Sequence, residues 1–120
     1  MAKKILIVDD STDVKKILKN RVEANHYEAI TASNGAEGLE RVKSEKPDMV
    51  ILDVMMPEMD GYTFVLQLKK ITEHEATHII VLTAKDKLQD IFKIEGIQEY
   101  MIKPVDTTEL LKKIEKYIGK

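Results

Sequence analysis

Short apolar runs alternate with longer amphipathic stretches along the chain, and the spacing of the apolar residues differs between the two kinds of segment. Four of the runs are apolar and largely β-branched, which is typical of strands covered on both faces of a sheet. A fifth run is weaker and more mixed, which favours a place at the edge of the sheet. The five predicted strands cover residues 5–8, 27–31, 50–52, 79–82 and 100–102.

Between these runs the apolar residues recur at intervals of three and four, which is the period of an amphipathic helix. Pro47 would close the second helix before the next strand. Capping-box pairs begin two of the candidate helices: Asn34 with Glu37, and Asp106 with Glu109. The four apolar stripes consist of Val14, Ile17, Leu18 and Val22; Ala36, Leu39 and Val42; Val65, Leu68 and Ile71; and Leu110, Leu111, Ile114, Tyr117 and Ile118.

The strand and helix patterns together repeat as five βα units within 120 residues. Such alternation specifies a parallel sheet with helices on both faces, joined by right-handed crossovers. No composition break, internal repeat or linker divides the chain. We therefore expect one α/β domain with a doubly wound, five-stranded parallel sheet.

Composition narrows the classes of function. Apolar residues make up 43% and charged residues 33%, as in ordinary globular proteins. A net charge of −2 argues against direct nucleic-acid binding, because phosphate backbones require a concentrated basic face. The chain has no cysteine, which excludes thiol catalysis and cysteine-based zinc sites. No apolar stretch suits a secretory signal or a membrane span, so we expect a cytoplasmic protein without membrane insertion.

Acidic and basic residues gather where the predicted strands end. Asp9 and Asp10 follow the first strand and Asp53 the third, while Thr83 and Lys103 follow the fourth and fifth. In an open parallel sheet these positions share one edge, and ligands bind there. Any one of these residues alone could equally be a turn or a helix cap. The combination favours phosphoryl chemistry, since no His or Ser is placed as a competing nucleophile.

Three carboxylates at one edge call for a cation. Two unit charges about 4 Å apart interact by roughly 4 kcal/mol at an effective dielectric of about 20, so the cluster is unfavourable without a counter-charge. Oxygen ligands without His or Cys suit Mg²⁺ or Mn²⁺. Lys103 would add a second positive charge and Thr83 a neutral donor, which together make a receptacle for a phosphoryl group.

Several motifs at these positions give a resemblance to a known family. ILIVDD is followed by ST, and VILDVMMPEMDG, IIVLTA and YMIKP come later in that order. Over essentially its whole length the chain resembles the receiver domains of two-component response regulators, phosphoproteins of phosphorelay signal transduction. The resemblance implies a flavodoxin-like sheet with strand order 2-1-3-4-5 and one receiver domain over residues 1–120. We expect a stand-alone receiver, similar to the chemotaxis regulators.

The resemblance also implies roles for the residues at the strand ends. It makes Asp53 the phosphoacceptor, which attacks phosphorus and becomes an acyl phosphate. Asp10 and Asp53 would bind Mg²⁺ directly, joined by the backbone carbonyl of Met55. Asp9 would act mainly through a metal-bound water. Lys103 would pair first with Asp53 and then with a phosphoryl oxygen.

The conformational switch that the resemblance implies involves two residues. Thr83 would move toward the phosphate, and Tyr100 would turn inward. The same family pattern predicts a cis peptide bond between Lys103 and Pro104. This chain departs from the family pattern in one segment: between Thr83 and Lys103 it has slightly fewer residues than family members have. This difference predicts a shortened fourth helix.

The partners that the resemblance implies are proteins. A sensor histidine kinase or a histidine phosphotransfer protein would donate the phosphoryl group, and a downstream protein would read the phosphorylated state. We expect a monomer or a weak dimer. The chain would not be an enzyme acting on other substrates, although it would catalyse its own phosphotransfer and dephosphorylation.

Two alternative functions stay open at this point. A phosphatase of the haloacid-dehalogenase type also uses an Asp nucleophile, Mg²⁺, Thr and Lys, but it requires D-x-D where this chain has Asp9 and Asp10 adjacent. A phosphate-independent protein-interaction module would have kept only the fold, and the presence of every acceptor residue argues against it. A phosphoryl adduct on Asp53 supports the receiver, whereas one on Asp9 or Asp10 supports the phosphatase.

Overall fold

Five parallel strands form the sheet of the computed structural model, which describes residues 2–53, 77–83 and 99–119 together with residues 64, 66–68 and 70. The strands are β1 (Lys4–Val8), β2 (Glu28–Ala32), β3 (Met49–Asp53), β4 (His78–Thr83) and β5 (Glu99–Ile102). They lie in the order β2-β1-β3-β4-β5, and each neighbouring pair is parallel. The predicted doubly wound α/β sheet, its flavodoxin-like order and the edge position of β2 are therefore confirmed.

The centre of the sheet is β3, all of whose residues are buried. In the register of the sheet, Leu52 of β3 is the partner of Val8 on one side and of Val81 on the other. Because β1 and β3 end in register, Asp9 and Asp53, which directly follow Val8 and Leu52, meet at the carboxyl edge of the sheet.

The described helices are α1 (Thr12–Ala24), α2 (Gly35–Glu45) and the C-terminal helix α3 (Thr107–Ile118), and residues 64, 66–68 and 70 are also helical. Each of the three begins with a side-chain cap, at Ser11, Asn34 and Asp106 respectively. The two predicted caps, Asn34 and Asp106, are confirmed, because their side chains accept hydrogen bonds from backbone N–H groups of the first helical turn. Within the described ranges, no helix combines the length and apolar character that crossing a membrane requires.

Two apolar layers cover the two faces of the sheet, because side chains alternate along each strand. Helix α2 covers the first layer, and α1 and α3 cover the second. The buried residues of the first layer are Leu6, Val8, Ala32, Leu39, Val42, Val50, Leu52, Phe64, Leu68, Ile79 and Val81. Those of the second are Ile5, Ile7, Leu18, Val22, Tyr27, Met49, Ile51, Ile80, Leu82, Met101, Leu110 and Ile114.

The predicted apolar stripes are wrong at two positions. Ile17 is 55% exposed, and Ala36 is exposed as well. In α1 the buried positions are Leu18 and Val22, one turn apart, so that Ile17 lies on the outer side of the helix. A stripe read from spacing alone includes residues at its margin that the sheet does not cover.

Two other predictions concern segments that are described partly or not at all. Of the predicted third stripe, Leu68 is described and is buried. The shortened fourth helix falls within residues 84–98, outside the described residues.

A polar cluster joins the start of β5 to the last turns of α3. Lys113 Nζ donates to Glu99 Oε1 at 3.0 Å, and the Tyr117 hydroxyl donates to Glu99 Oε2 at 2.8 Å. Burial alone would raise the pKa of Glu99, but the hydrogen bonds from Lys113 and Tyr117 outweigh it and hold that pKa below its ordinary value of 4.5. The same hydrogen bonds raise the pKa of Lys113 and of Tyr117. These three residues are the Glu99 cluster.

Acid should remove the stabilisation that the Glu99 cluster provides. Because the pKa of Glu99 is lowered by folding, its contribution is fully present above pH 4.5 and is lost as the pH falls through the folded-state pKa. We expect Glu99→Gln to lower the free energy of unfolding by about 1 kcal/mol at neutral pH, the size of a partly exposed ion pair, and by much less in acid. Urea unfolding of both proteins measures this, and an equal loss at neutral and acid pH would contradict it.

The end of α2 offers a test of backbone strain. Lys46 caps the helix with φ 49 and ψ 62, in the left-handed region that favours glycine. We expect Lys46→Gly to raise the free energy of unfolding by roughly 0.5–1 kcal/mol, because glycine adopts this conformation without a Cβ clash. Lys43→Gly in the same helix is the matched control and should lower it by about 1 kcal/mol. Thermal unfolding distinguishes the two, and a destabilised Lys46→Gly protein would be the opposite result.

Candidate functional site

The carboxyl edge of the sheet brings together the residues that the sequence places at the strand ends. Asp9 and Asp10 follow β1, Asp53 ends β3, and one carboxylate oxygen from each of the three lies within 4.8 Å of the others. We refer to this part of the sheet, with the carboxylates of Asp9, Asp10 and Asp53, as the acidic edge. Thr83 ends β4, and Lys103 directly follows β5. The backbone N–H of Lys103 donates to the carbonyl oxygen of Thr83 at 2.8 Å.

Lys103 and Asp53 form an ion pair at the acidic edge. Lys103 Nζ donates to Asp53 Oδ2 at 2.7 Å, and the two side chains are 30% and 3% exposed. The backbone of Asp53 is fixed by the buried strand β3, and the Lys103–Pro104 peptide bond is cis, as predicted. The ion pair links the end of the central strand β3 to the residue that directly follows β5.

Asp9 is buried, with 1% of its surface exposed. The Ser11 N–H donates to its Oδ1 at 2.8 Å, whereas its Oδ2 is buried and lacks a hydrogen-bond partner in the described part of the chain. Burial is the main cause that raises the pKa of Asp9 above its ordinary value, and the Asp53 and Asp10 carboxylates act in the same direction. The Ser11 hydrogen bond and the positive charge of Lys103 oppose this rise.

The acidic edge has the donor set of a site for a hard divalent cation. Three carboxylates outnumber the single positive charge of Lys103, the cation that is bonded to Asp53. Among the described residues no donor reaches the buried Oδ2 of Asp9, and buried carboxylate oxygens of this kind are commonly satisfied by a bound ion or a water. Asp10 is exposed, which leaves the edge open to water ligands. Mg²⁺ combines a few carboxylates with several waters, so the residues present fit it.

The other predicted site residues occupy different surroundings. Thr83 is fully buried at the end of β4. Tyr100, on β5, is half-buried and packs against the apolar layer that contains Val81 and Phe64. The backbone carbonyl of Met55, the remaining predicted metal ligand, lies outside the described residues.

Ser11 is a site residue for which the sequence predicts no role. Its Oγ accepts from the Val14 N–H and caps α1, while its own N–H donates to Asp9. The sequence does carry the signal for the cap, namely a Ser placed directly before an amphipathic stripe. It carries no signal that the same turn orients a carboxylate.

Relatives of known sequence cover most of the chain. A model of the response regulator receiver domain matches residues 5–115. The alkaline phosphatase synthesis transcriptional regulatory protein PhoP of Bacillus subtilis is 40% identical over 112 residues, which are 92% of this chain and 46% of that protein. Protein PilH of Pseudomonas aeruginosa is 38% identical over 113 residues, which are 92% of this chain and 93% of PilH. The chain thus spans about half the length of transcriptional regulators such as PhoP.

Solved structures have the same fold. The chemotaxis protein CheY4 of Vibrio cholerae matches with a TM-score of 0.86 at 28% identity, covering 98% of this chain and 100% of that chain. The response regulator protein TrrA of Thermotoga maritima, in complex with Mg(2+)-BeF, matches with a TM-score of 0.85 at 33% identity, covering 97% of this chain and 99% of that chain. With its sheet order, its acidic edge and these relatives, the chain belongs to the family of response regulator receiver domains.

Proposed function

We propose that residues 1–120 form one receiver domain that accepts a phosphoryl group on Asp53 from a sensor histidine kinase or a histidine phosphotransfer protein, in a reaction that requires Mg²⁺. The observation that carries the proposal is the Lys103–Asp53 ion pair beside the carboxylates of Asp9 and Asp10. Phosphoryl transfer depends on positioning and on neutralising charge, and this edge supplies both.

Asp53 is the nucleophile in this proposal. One of its carboxylate oxygens attacks phosphorus, a P–O bond forms as the P–N bond of the phosphohistidine breaks, and the electron pair of that bond leaves with the imidazole nitrogen. The buried strand β3 holds the carboxylate in place before the donor arrives. Lys103 exchanges Asp53 Oδ2 for a phosphoryl oxygen, so that its positive charge stays next to the acceptor throughout.

Asp9, Asp10 and Asp53 are the residues that would hold the metal ion, with the backbone carbonyl of Met55 as a further ligand. Bound there, Mg²⁺, or Mn²⁺ with the same ligand preference, would supply positive charge that offsets the carboxylates and the phosphoryl oxygens. The buried Oδ2 of Asp9 supports this assignment because it has no protein donor among the described residues. The complex of TrrA with Mg(2+)-BeF supports it from a relative.

Thr83 and Tyr100 would carry the response to phosphorylation. The Thr83 hydroxyl would donate to a phosphoryl oxygen, and Tyr100 would turn inward on the neighbouring strand. The two residues lie on paired strands, where Val81 is in register with Tyr100 and Thr83 with Ile102. A new charge at the acidic edge would thus bias a two-state element that includes β4 and β5.

The output of this switch would be read by a downstream protein. The domain would act as a monomer or weak dimer, without direct contact to nucleic acid. PhoP is named a transcriptional regulatory protein and PilH is covered almost entirely by this chain, so both kinds of relative are compatible with such a module. As a signalling protein, the chain would catalyse its own phosphotransfer and dephosphorylation rather than act on other substrates.

Replacing the acceptor should abolish phosphorylation. With acetyl phosphate and Mg²⁺, we expect the wild-type protein to gain the mass of one phosphoryl group per chain and Asp53→Asn to gain none, because the amide is a poor nucleophile. Asp13→Asn, which changes an acid in the first turn of α1, is the control and should be labelled like the wild type. Removing Mg²⁺ with a chelator should stop the labelling of the wild type and of Asp13→Asn.

Two results of this labelling experiment would contradict the proposal. A phosphoryl group that persists in Asp53→Asn and maps to Asp9 or Asp10 would favour the phosphatase of the haloacid-dehalogenase type. A wild-type protein that is never labelled would favour the phosphate-independent interaction module.

Removing one charge from the acidic edge should stabilise the metal-free protein. Because the pKa of Asp9 is raised by folding, the ionised carboxylate opposes folding, and this cost appears as the pH rises through the folded-state pKa. We expect Asp9→Asn to raise the free energy of unfolding at neutral pH by on the order of 1 kcal/mol. The new Oδ1 can still accept from Ser11.

Thermal unfolding with and without Mg²⁺ checks this expectation. Mg²⁺ should raise the melting temperature of the wild type, since an ion that binds the folded state alone stabilises it, and should raise that of Asp9→Asn less. Glu40→Gln, at an exposed position of α2, controls for the loss of one negative charge. A metal-free Asp9→Asn protein that is less stable than the wild type would count against this description of the edge.

A further inference from the structure

We propose that the Glu99 cluster couples the C-terminal helix α3 to β5, so that a change at the acidic edge reaches the surface of α3. This inference rests on the proposed function, since it requires β5 to respond when Asp53 is modified. Glu99 is the first residue of β5, and Lys103 directly follows the last, so the cluster lies at the opposite end of the strand from the acidic edge.

Strand β5 and helix α3 are tied together at both ends. At the acidic edge the chain passes from Lys103 to Asp106, the N-cap of α3. At the other end Glu99 accepts hydrogen bonds from Lys113 and Tyr117, which belong to the second half of α3. A strand and a helix joined at one point can swing relative to each other, whereas joined at two separated points they move together.

The Glu99 cluster fixes α3 more specifically than apolar packing does. Each oxygen of Glu99 has its own donor, Lys113 at 3.0 Å and Tyr117 at 2.8 Å. These donors are four residues apart and therefore lie on one face of the helix. Two directional bonds from one helix face to one carboxylate fix the rotation of the helix about its axis and its position along that axis. Apolar contacts, by contrast, are non-directional.

Glu99 is also adjacent in the chain to the predicted switch residue. Tyr100 packs against the first apolar layer of the sheet, and Met101 belongs to the second layer together with Ile114 of α3. Since side chains alternate along a strand, Glu99 is on the same side of β5 as Met101 and α3. A displacement of β5 that accompanies a rotation of Tyr100 would therefore act on Glu99 across a single peptide unit.

The Tyr117 ring extends the cluster to β4. His78, the first residue of β4, lies with its ring centroid 5.7 Å from that of Tyr117, and Lys116 Nζ is 5.1 Å from the same ring. Thr83 is at the other end of β4, at the acidic edge. The two strands that carry the predicted switch residues thus both contact this part of α3.

Amide chemical shifts can test the coupling with Mg²⁺ and beryllofluoride as the probe of the modified state. The variants are Lys113→Met and Tyr117→Phe, and Lys112→Met on the same helix is the matched control. In the wild type and Lys112→Met, we expect shift changes both at Ser11 and Thr83 and along the second half of α3. In Lys113→Met and Tyr117→Phe, the changes at the acidic edge should persist while those in α3 fall to about half or less.

The outcomes separate this inference from the function on which it rests. If the edge responds and α3 responds equally in all four proteins, or not at all in the wild type, the coupling is overturned and the proposed function stands. If the edge of the wild-type protein does not respond, the proposed function is overturned and the coupling with it. Tyr117→Phe keeps the ring and its packing, so a lost response in this variant reports the hydrogen bond to Glu99.

Discussion

The site depends on the balance between three carboxylates and the positive charges that face them. Asp9, Asp10 and Asp53 bring their oxygens within 4.8 Å of one another, an arrangement that is unfavourable by itself. Lys103 offsets part of this charge through its 2.7 Å bond to Asp53, and the rest is available to a cation. The folded sheet supplies the energy that holds these like charges together, and in the proposed function this charge would attract the metal ion and the phosphoryl group.

The order of the strands explains which residue types stand at each position. Strands β1 and β3 are neighbours, so short aspartates following or ending them are close enough to share one ion. Strand β5 is separated from β3 by β4, so its residue must reach across the end of β4 to contact Asp53. A lysine has the length and the mobile charge for this, and Lys103 passes the end of β4 where Thr83 is placed.

Periodicity predicted the elements well and their arrangement less well. The five strands lie within two residues of the predicted bounds, because buried parallel strands are short apolar runs with clear ends. Their order came from the family resemblance, since hydrophobic spacing contains no information on which strands are neighbours. The exposure of Ile17 was missed for a related reason: spacing defines a helix face but not how much of that face the sheet covers.

The candidate site was predictable as a set of residue types, and its supporting contacts were not. The strand-end rule brings Asp9, Asp53 and Lys103 to one edge from the sequence alone. The bond from Ser11 to Asp9 depends on the geometry of one turn. The contact between Glu99 and Lys113 joins two elements across 14 positions of sequence, and neither residue type signals a partner.

A crystal structure of the protein with Mg²⁺ and beryllofluoride would show whether Asp53 is the acceptor and whether the acidic edge holds the ion. We expect a beryllofluoride group on a carboxylate oxygen of Asp53, with the ion bound among Asp9, Asp10 and Asp53 and with Lys103 moved onto a fluorine. An adduct on Asp9 or Asp10, or an ion bound away from these three carboxylates, would contradict it.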